Sequence, residues 1–285
     1  MLMDVGVVGG TEYQYLLPRT NPVRCINDAV RKLNWKDVET ELGKPDNVGF
    51  ELCSNITKND FWRYVKSEQQ ELKSRAMMWR DNSIFIVELP SGVHDDTNRL
   101  LELQISRATG TMDDHLCTHG STYVNTANLP ANEQLPRIEP DSSFGPDPEI
   151  GVLMPPNIRP NEFHTLKVEV GVSRGWNLLD PKVIEWSTFP GIQYILCLRI
   201  SQTMLVRQYK LFSIVNNVLE GHAPDVVMPT SIVPTTVVAL DAHRLLALPA
   251  DIAVPIDFND PVIVPLHAML QKVWRSNYRD TPVPF

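Results

Sequence analysis

The sequence predicts an α/β fold with a central mixed β-sheet flanked by helices. Residues 166–172 alternate strictly, with Leu166, Val168, Val170 and Val172 on one face and Lys167, Glu169 and Gly171 on the other. That is the period of a strand. Residues 176–186 then read as a helix, and residues 191–200 (GIQYILCLRI) as a buried strand. Strand, helix and strand in succession mark a sheet covered by helices.

The remaining elements follow in order. Residues 1–20 carry little pattern; Val5-Gly6-Val7-Val8-Gly9-Gly10 lacks GxGxxG spacing and reads as a strand-like or flexible N-terminus. A short helix is expected over 27–33, with Trp35 packed inward. Asn59-Asp60 can cap a helix over 61–79, whose apolar stripe is Phe61, Tyr64, Val65, Leu72, Ala76 and Met77. Residues 83–89 (SIFIVEL) read as a strand that Pro90-Ser91-Gly92 breaks. Residues 94–108 read as a helix with Leu100, Leu101, Leu103 and Ile105 as core candidates, stopped by Gly110. His115, Cys117 and His119 alternate, as zinc ligands on one strand would, but no second Cys/His pair completes four ligands. A loop leading into a strand at 120–125 is the preferred reading. Residues 126–137 are a polar loop. Residues 201–214 continue as strand, 220–224 as a turn and 235–240 as strand. A short helix capped by Asp241 covers 241–246, an acidic linker 249–260 and a last helix 267–274.

Composition narrows the class. The chain has 285 residues, 43 % hydrophobic and 21 % charged, an ordinary globular make-up. No boundary stands out, so a single domain over 1–285 is expected. The net charge of −8 argues against a broad basic surface and against DNA binding by charge alone. Cys25, Cys53, Cys117 and Cys197 form no CxxC pair and read as reduced thiols of an intracellular protein, in cytoplasm or nucleus. No signal peptide is expected, and no apolar segment reaches the roughly 18 residues a membrane span needs. The 23 prolines against 14 glycines suggest long, stiffened connections.

The candidate chemistry lies between Pro140 and Trp186. Asp141 follows a proline, Glu169 lies mid-strand, and Lys182 sits in the next helix. Two carboxylates and a cation suit metal-dependent phosphodiester cleavage, where acids hold Mg²⁺ and a cation activates water or offsets charge. The acids are far apart in the chain for adjacent antiparallel strands, but residues 145–161 hold five prolines and read as a protruding loop. Taken alone, Asp141 would be a turn residue, Glu169 an exposed strand acid and Lys182 a solvated helix lysine.

Pro140-Asp141-Ser142-Ser143-Phe144 with Val168-Glu169-Val170-Gly171-Val172-Ser173 resembles the PD-(D/E)xK, or restriction-endonuclease-like, superfamily. The pattern is similar to fungal and oomycete members with PDxSF and VEVGxS, and more distantly to a bacterial family of endonucleases. It covers roughly residues 80–215, which leaves an N-terminal helical extension over 1–79 and a C-terminal extension over 216–285. The superfamily's lysine normally follows the second acid by two residues, where this chain has Gly171. The bacterial family places it in the following helix, and Lys182, Trp186 and Gly191-Ile192-Gln193-Tyr194 match that arrangement.

The resemblance implies a restriction-endonuclease-like core and a Mg²⁺- or Mn²⁺-dependent nuclease acting on nucleic acid, DNA in the first instance. It leaves 5′-phosphate ends and admits a homodimer. Asp141, Glu169 and the Val170 carbonyl would bind the metal, and Lys182 would serve the attacking water or the transition state. Arg174 and Lys167 are rival cations. An additional acid would come from the preceding helix, with Asp95, Asp96 and Glu102 all eligible. Arg199, Arg207 and Lys210 could flank a groove for phosphates. The alternative is a catalytically inactive binding or scaffold protein of the same fold, motivated by Gly171 and the acidic charge. A zinc module on His115, Cys117 and His119 is the third reading.

Overall fold

The computed structural model describes residues 21–44, 47–89, 91–126, 134–135 and 138–278. Residues 5–10, Pro90, Arg137 and most of the 126–137 loop, all named above, lie outside them.

The chain first builds a small α/β unit. Helix α1 (Pro22–Arg31) starts at the Asn21 cap with proline in its first turn, where no backbone N–H is needed. Helix α2 (Trp35–Leu42), strand β1 (Phe50–Ser54), helix α3 (Lys58–Val65) and strands β2 (Met77–Arg80) and β3 (Ser83–Ile86) follow. The strands pair antiparallel in the order β1-β3-β2. Ile26, Val38, Tyr64, Ile84 and Ile86 form a core of their own.

Two expectations are corrected here. The helix over 61–79 ends at Val65, and Thr57 caps it rather than Asn59 or Asp60. The Gln70 side-chain amide donates to the carbonyls of Tyr64 and Val65 at 3.0 and 2.9 Å, satisfying acceptors that a further helical turn would have used. The apolar stripe is nonetheless buried, supplied by a helix, a turn and a strand in succession. Trp35 opens α2 and is 40 % exposed rather than packed inward.

Helix α4 (Gly92–Thr109) follows, capped by Ser91 and closed by Gly110 at φ +88°, a conformation glycine tolerates. Leu101 and Ile105 are fully buried, whereas Leu100 is only partly so. Strands β4 (Leu116–Thr118), β5 (Ser142–Pro146) and β6 (Leu166–Gly171) come next, then helix α5 (Trp176–Ser187) and strands β7 (Tyr194–Ile200), β8 (Arg207–Val215), β9 (Val218–Leu219) and β10 (Thr230–Ser231). They form one sheet in the order β10-β8-β7-β6-β5-β4, with β9 on β8. Strands β6 and β7 are parallel, with α5 as the crossover; the other pairs are antiparallel. The fold is thus mixed α/β, as expected. The pairing strand falls at 116–118 rather than 120–125, and residues 201–206 turn rather than continue the strand.

The alternation of β6 works as read, but both faces are buried. Leu166, Val168 and Val170 meet a core shared with α4 and with strand β11 (Val238–Leu240), helix α6 (Ala242–Leu245), strand β12 (Val262–Val264) and helix α7 (Leu266–Asn277). Each such side chain contributes about 1.5–3 kcal/mol of apolar burial. The opposite face of the sheet packs Ile195 and Cys197 against Val183 and Trp186 of α5. Lys167 and Glu169 point into that layer and are wholly excluded from solvent. Among the described residues, no helix is long and apolar enough to cross a membrane.

Candidate functional site

Strand pairing brings the two acids together. Ser142 lies opposite Val168, so the register carries Asp141, one residue before β5, to the level of Glu169. Its Oδ2 accepts from the Val170 amide at 2.8 Å and so extends the ladder by a side chain. Glu169 lies mid-strand on the α5 side. The Trp186 indole donates to its Oε1 at 2.7 Å, and Lys182 Nζ to its Oε2 at 2.8 Å. Asp141, Glu169 and Lys182 therefore gather at one place, although the two acids stand 28 positions apart in the chain.

The group at the centre is Arg174. Its Nη2 donates to Asp141 Oδ2 at 2.8 Å and to the Val170 carbonyl at 2.9 Å, and its Nη1 to Glu169 Oε2 at 3.3 Å. Its Nε donates to Glu88 Oε2 at 3.2 Å. Glu88 also accepts the amides of Val172 and Ser173 at 3.0 and 2.8 Å, with that of Arg174 at 3.4 Å. The loop after β6 is thus wrapped around the Glu88 carboxylate, and the arginine is turned back onto the strand it has just left.

Gly171 makes the turn possible. A Cβ there would stand 2.8 Å from the Arg174 carbonyl oxygen and 3.1 Å from Leu179 Cδ1. No lysine fits at that position without moving backbone, and the space beside it is filled by Arg174 rather than left open for Lys182.

The electrostatics match the contacts. Arg174, Asp141 and Glu169 are at most 2 % exposed. Burial alone would raise the Asp141 carboxyl, but the guanidinium and then the His94 ring hold it far below the usual range. Burial likewise disfavours charged Arg174, and Asp141, Glu169 and Glu88 together bind its proton more firmly than usual. Burial also opposes the charged His94 ring, and Asp141 outweighs it, raising its pKa. His94 Nε2 lies 3.5 Å from Asp141 Oδ1, and neither atom makes another hydrogen bond among the described residues.

A divalent cation does not fit this arrangement. The three expected ligand atoms, on Asp141, Glu169 and Val170, each accept from the guanidinium, which holds the position an ion would need. The cluster also carries Lys182 as a second cation. Among the described residues, no group of three or more His, Cys, Asp or Glu side chains is placed to hold a metal.

The other sequence candidates scatter. Asp95 contacts Arg75 and the far nitrogen of His94, Asp96 pairs with Arg99, and Glu102 accepts from the Ser142 hydroxyl. None of these helix acids reaches the cluster; the third acid is Glu88, from the strand side of that helix. It sits in an apolar run, which is the signal that could have marked it as buried. His115 faces Asp257, Cys117 faces the Asp113 carbonyl, and His119 packs on His164, so the zinc triplet does not converge. Lys210 is buried against Asp180 rather than lining a groove.

Lys167 forms a separate buried group. Its Nζ donates to His164 Nδ1 at 2.8 Å and lies 4.3 Å from the centre of the Trp186 ring. Burial pushes the lysine down to about 7, against a smaller opposing pull from Glu169. Burial, then Lys167 and His119, push His164 down to about 2, so its ring is neutral and its Nε2 donates to the Asn161 carbonyl at 3.1 Å. No family model, no curated protein and no solved structure matches this chain.

Proposed function

We propose that this chain is a catalytically inactive, restriction-endonuclease-like binding or scaffold protein, whose paired acids hold the fold together rather than a metal. The observation that carries the reading is the Arg174 guanidinium, bonded at once to Asp141, Glu169, Glu88 and the Val170 carbonyl in a place that water does not reach. Hydrolysis of a phosphodiester needs the scissile phosphate and a water molecule beside the acids. Here the guanidinium occupies the space between the acids, which are at most 4 % exposed, and it offsets the charge that would draw a cation. Nucleic acid is the partner class named by the sequence resemblance.

A second reading keeps the nuclease, with Mg²⁺ or Mn²⁺ as its cofactor. The convergence of Asp141, Glu169, the Val170 carbonyl and Lys182 favours it, and it requires Arg174 to leave. One pair of measurements separates the two. Calorimetric titration of the full chain with Mg²⁺ and Mn²⁺ is expected to show no binding, and single- and double-stranded DNA and RNA to remain intact with either ion. Cleavage that disappears in both Asp141→Asn and Glu169→Gln would establish the nuclease instead.

A further inference from the structure

A cavity of about 900 Å³ lies between the N-terminal unit and the central sheet. That volume is at the upper end for small-molecule sites. Its floor is fixed by Asn47, whose Nδ2 donates to the Ser173 carbonyl at 3.1 Å while its own carbonyl accepts from Asn177 Nδ2 at 3.0 Å. Asn47 is 5 % exposed, yet among the described residues its Oδ1 accepts no hydrogen bond. A buried acceptor without a donor costs about 1–3 kcal/mol, a cost a donor on a ligand would remove.

Four further features of the walls are unused by the fold. The side chain of Arg199, near the end of β7, makes no hydrogen bond or ion pair among the described residues and lines the cavity beside Ser201 and Thr203. Trp35 presents an indole that is 40 % exposed, and Glu39, one turn further along α2, a carboxylate with no cation partner among the described residues. Helix α5 begins at the same wall with Gly175 as its cap, so no side chain there accepts its first amides. Amides at a helix start favour an anion.

We infer that this cleft binds a nucleoside monophosphate unit, with its base stacked on Trp35 and its phosphate held by Arg199 and the start of α5. Asn47 Oδ1 and Glu39 accept from the ribose hydroxyls or an exocyclic amino group. A flat ring on an indole contributes about 1–3 kcal/mol per base and tolerates any base. A guanidinium matches phosphate with paired donors. Inorganic phosphate alone would leave the Trp35 face uncovered, and a bare nucleoside would leave the Arg199 cation without an anion.

The inference rests on the binding reading above, and the experiment keeps the two apart. The full chain is titrated calorimetrically with AMP, CMP, GMP, UMP, adenosine and inorganic phosphate, and a DNA and an RNA oligonucleotide are checked for cleavage in the same Mg²⁺ buffer. One-to-one binding of the monophosphates is expected, at least tenfold tighter than adenosine or phosphate. Arg199→Gln and Trp35→Ala should each weaken it tenfold or more; both side chains lie outside the cores, and melting curves verify that both variants fold. No monophosphate binding, or binding that both variants leave unchanged, overturns the inference. Cleavage alongside tight, variant-sensitive monophosphate binding overturns the inactive reading alone and leaves the cleft assignment standing.

Discussion

Glu169 and Lys167 sit two residues apart on the same face of β6, both fully buried, and they meet burial in opposite ways. Glu169 accepts hydrogen bonds from Arg174, Lys182 and Trp186 at once. Lys167 has a neutral imidazole and an aromatic face instead, and its pKa falls to about 7. The difference lies in what the next element delivers. The 172–174 loop returns a guanidinium to Glu169, whereas the 163–165 segment offers Lys167 only a histidine. Burial does not set the charge state of a group; the partners brought with it do.

Removing the partner from the first of these groups should have the largest effect. Arg174→Met leaves Glu88, Asp141 and Glu169 close together in a dry site, and removing one member of a buried ion pair costs about 3–5 kcal/mol. Urea unfolding should show a loss of at least that size. A loss under 1 kcal/mol would mean that the guanidinium does not bind the cluster together.

The second group should show itself in the pH dependence. Lys167 titrates near 7 when folded and near its ordinary value of 10.5 when unfolded. Between those values the unfolded chain holds a proton that the native chain lacks, so stability rises with pH across the window, by a few kcal/mol at most. Lys167→Met should abolish that rise and be at least as stable as the parent at pH 7. Chemical denaturation at pH 7, 8 and 9 decides it, and parallel curves for parent and variant would show an ordinary, charged lysine.

Two smaller effects sharpen the contrast. Gly171→Ala should cost about 1–3 kcal/mol by crowding the Arg174 backbone. Gly171→Lys should cost at least as much, so it cannot restore a lysine to the site. Lys182→Ala should cost only about 1 kcal/mol, because Glu169 retains Arg174 and Trp186 and the lysine side chain is 15 % exposed. Thermal melts of the three variants rank them, and a Lys182→Ala loss larger than that of Gly171→Ala would reverse the order argued here.

The mixed sheet was legible because its central strand repeats with period two and its neighbour is apolar at every position but Arg199. Asp141 and Glu169 were paired by the PDxSF and VEVGxS resemblance rather than by periodicity, because the long stretch between them hides the pairing of β5 with β6. Arg174 was visible only as one nearby cation among several, because its role depends on a loop whose path is set by Glu88 and by the bare backbone at Gly171. Neither influence leaves a periodic trace. The 61–79 segment misled for a related reason: its apolar residues keep helical spacing while a single side chain, Gln70, ends the helix. Trp35 misled because its size suggests the core, whereas α2 buries Val38 and Leu42 and turns the indole towards the cleft.

Glu88 follows a strand of the N-terminal unit, yet its carboxylate holds the amides and the arginine of a loop that belongs to the central sheet. The two hydrophobic cores are therefore joined by a charged knot rather than by apolar contact alone. Pulling them apart would strand Arg174 with one fewer acid and open three amides at once. Heat or denaturant should accordingly melt the 21–89 unit and the sheet in a single cooperative step, and Glu88→Gln should split that step into two.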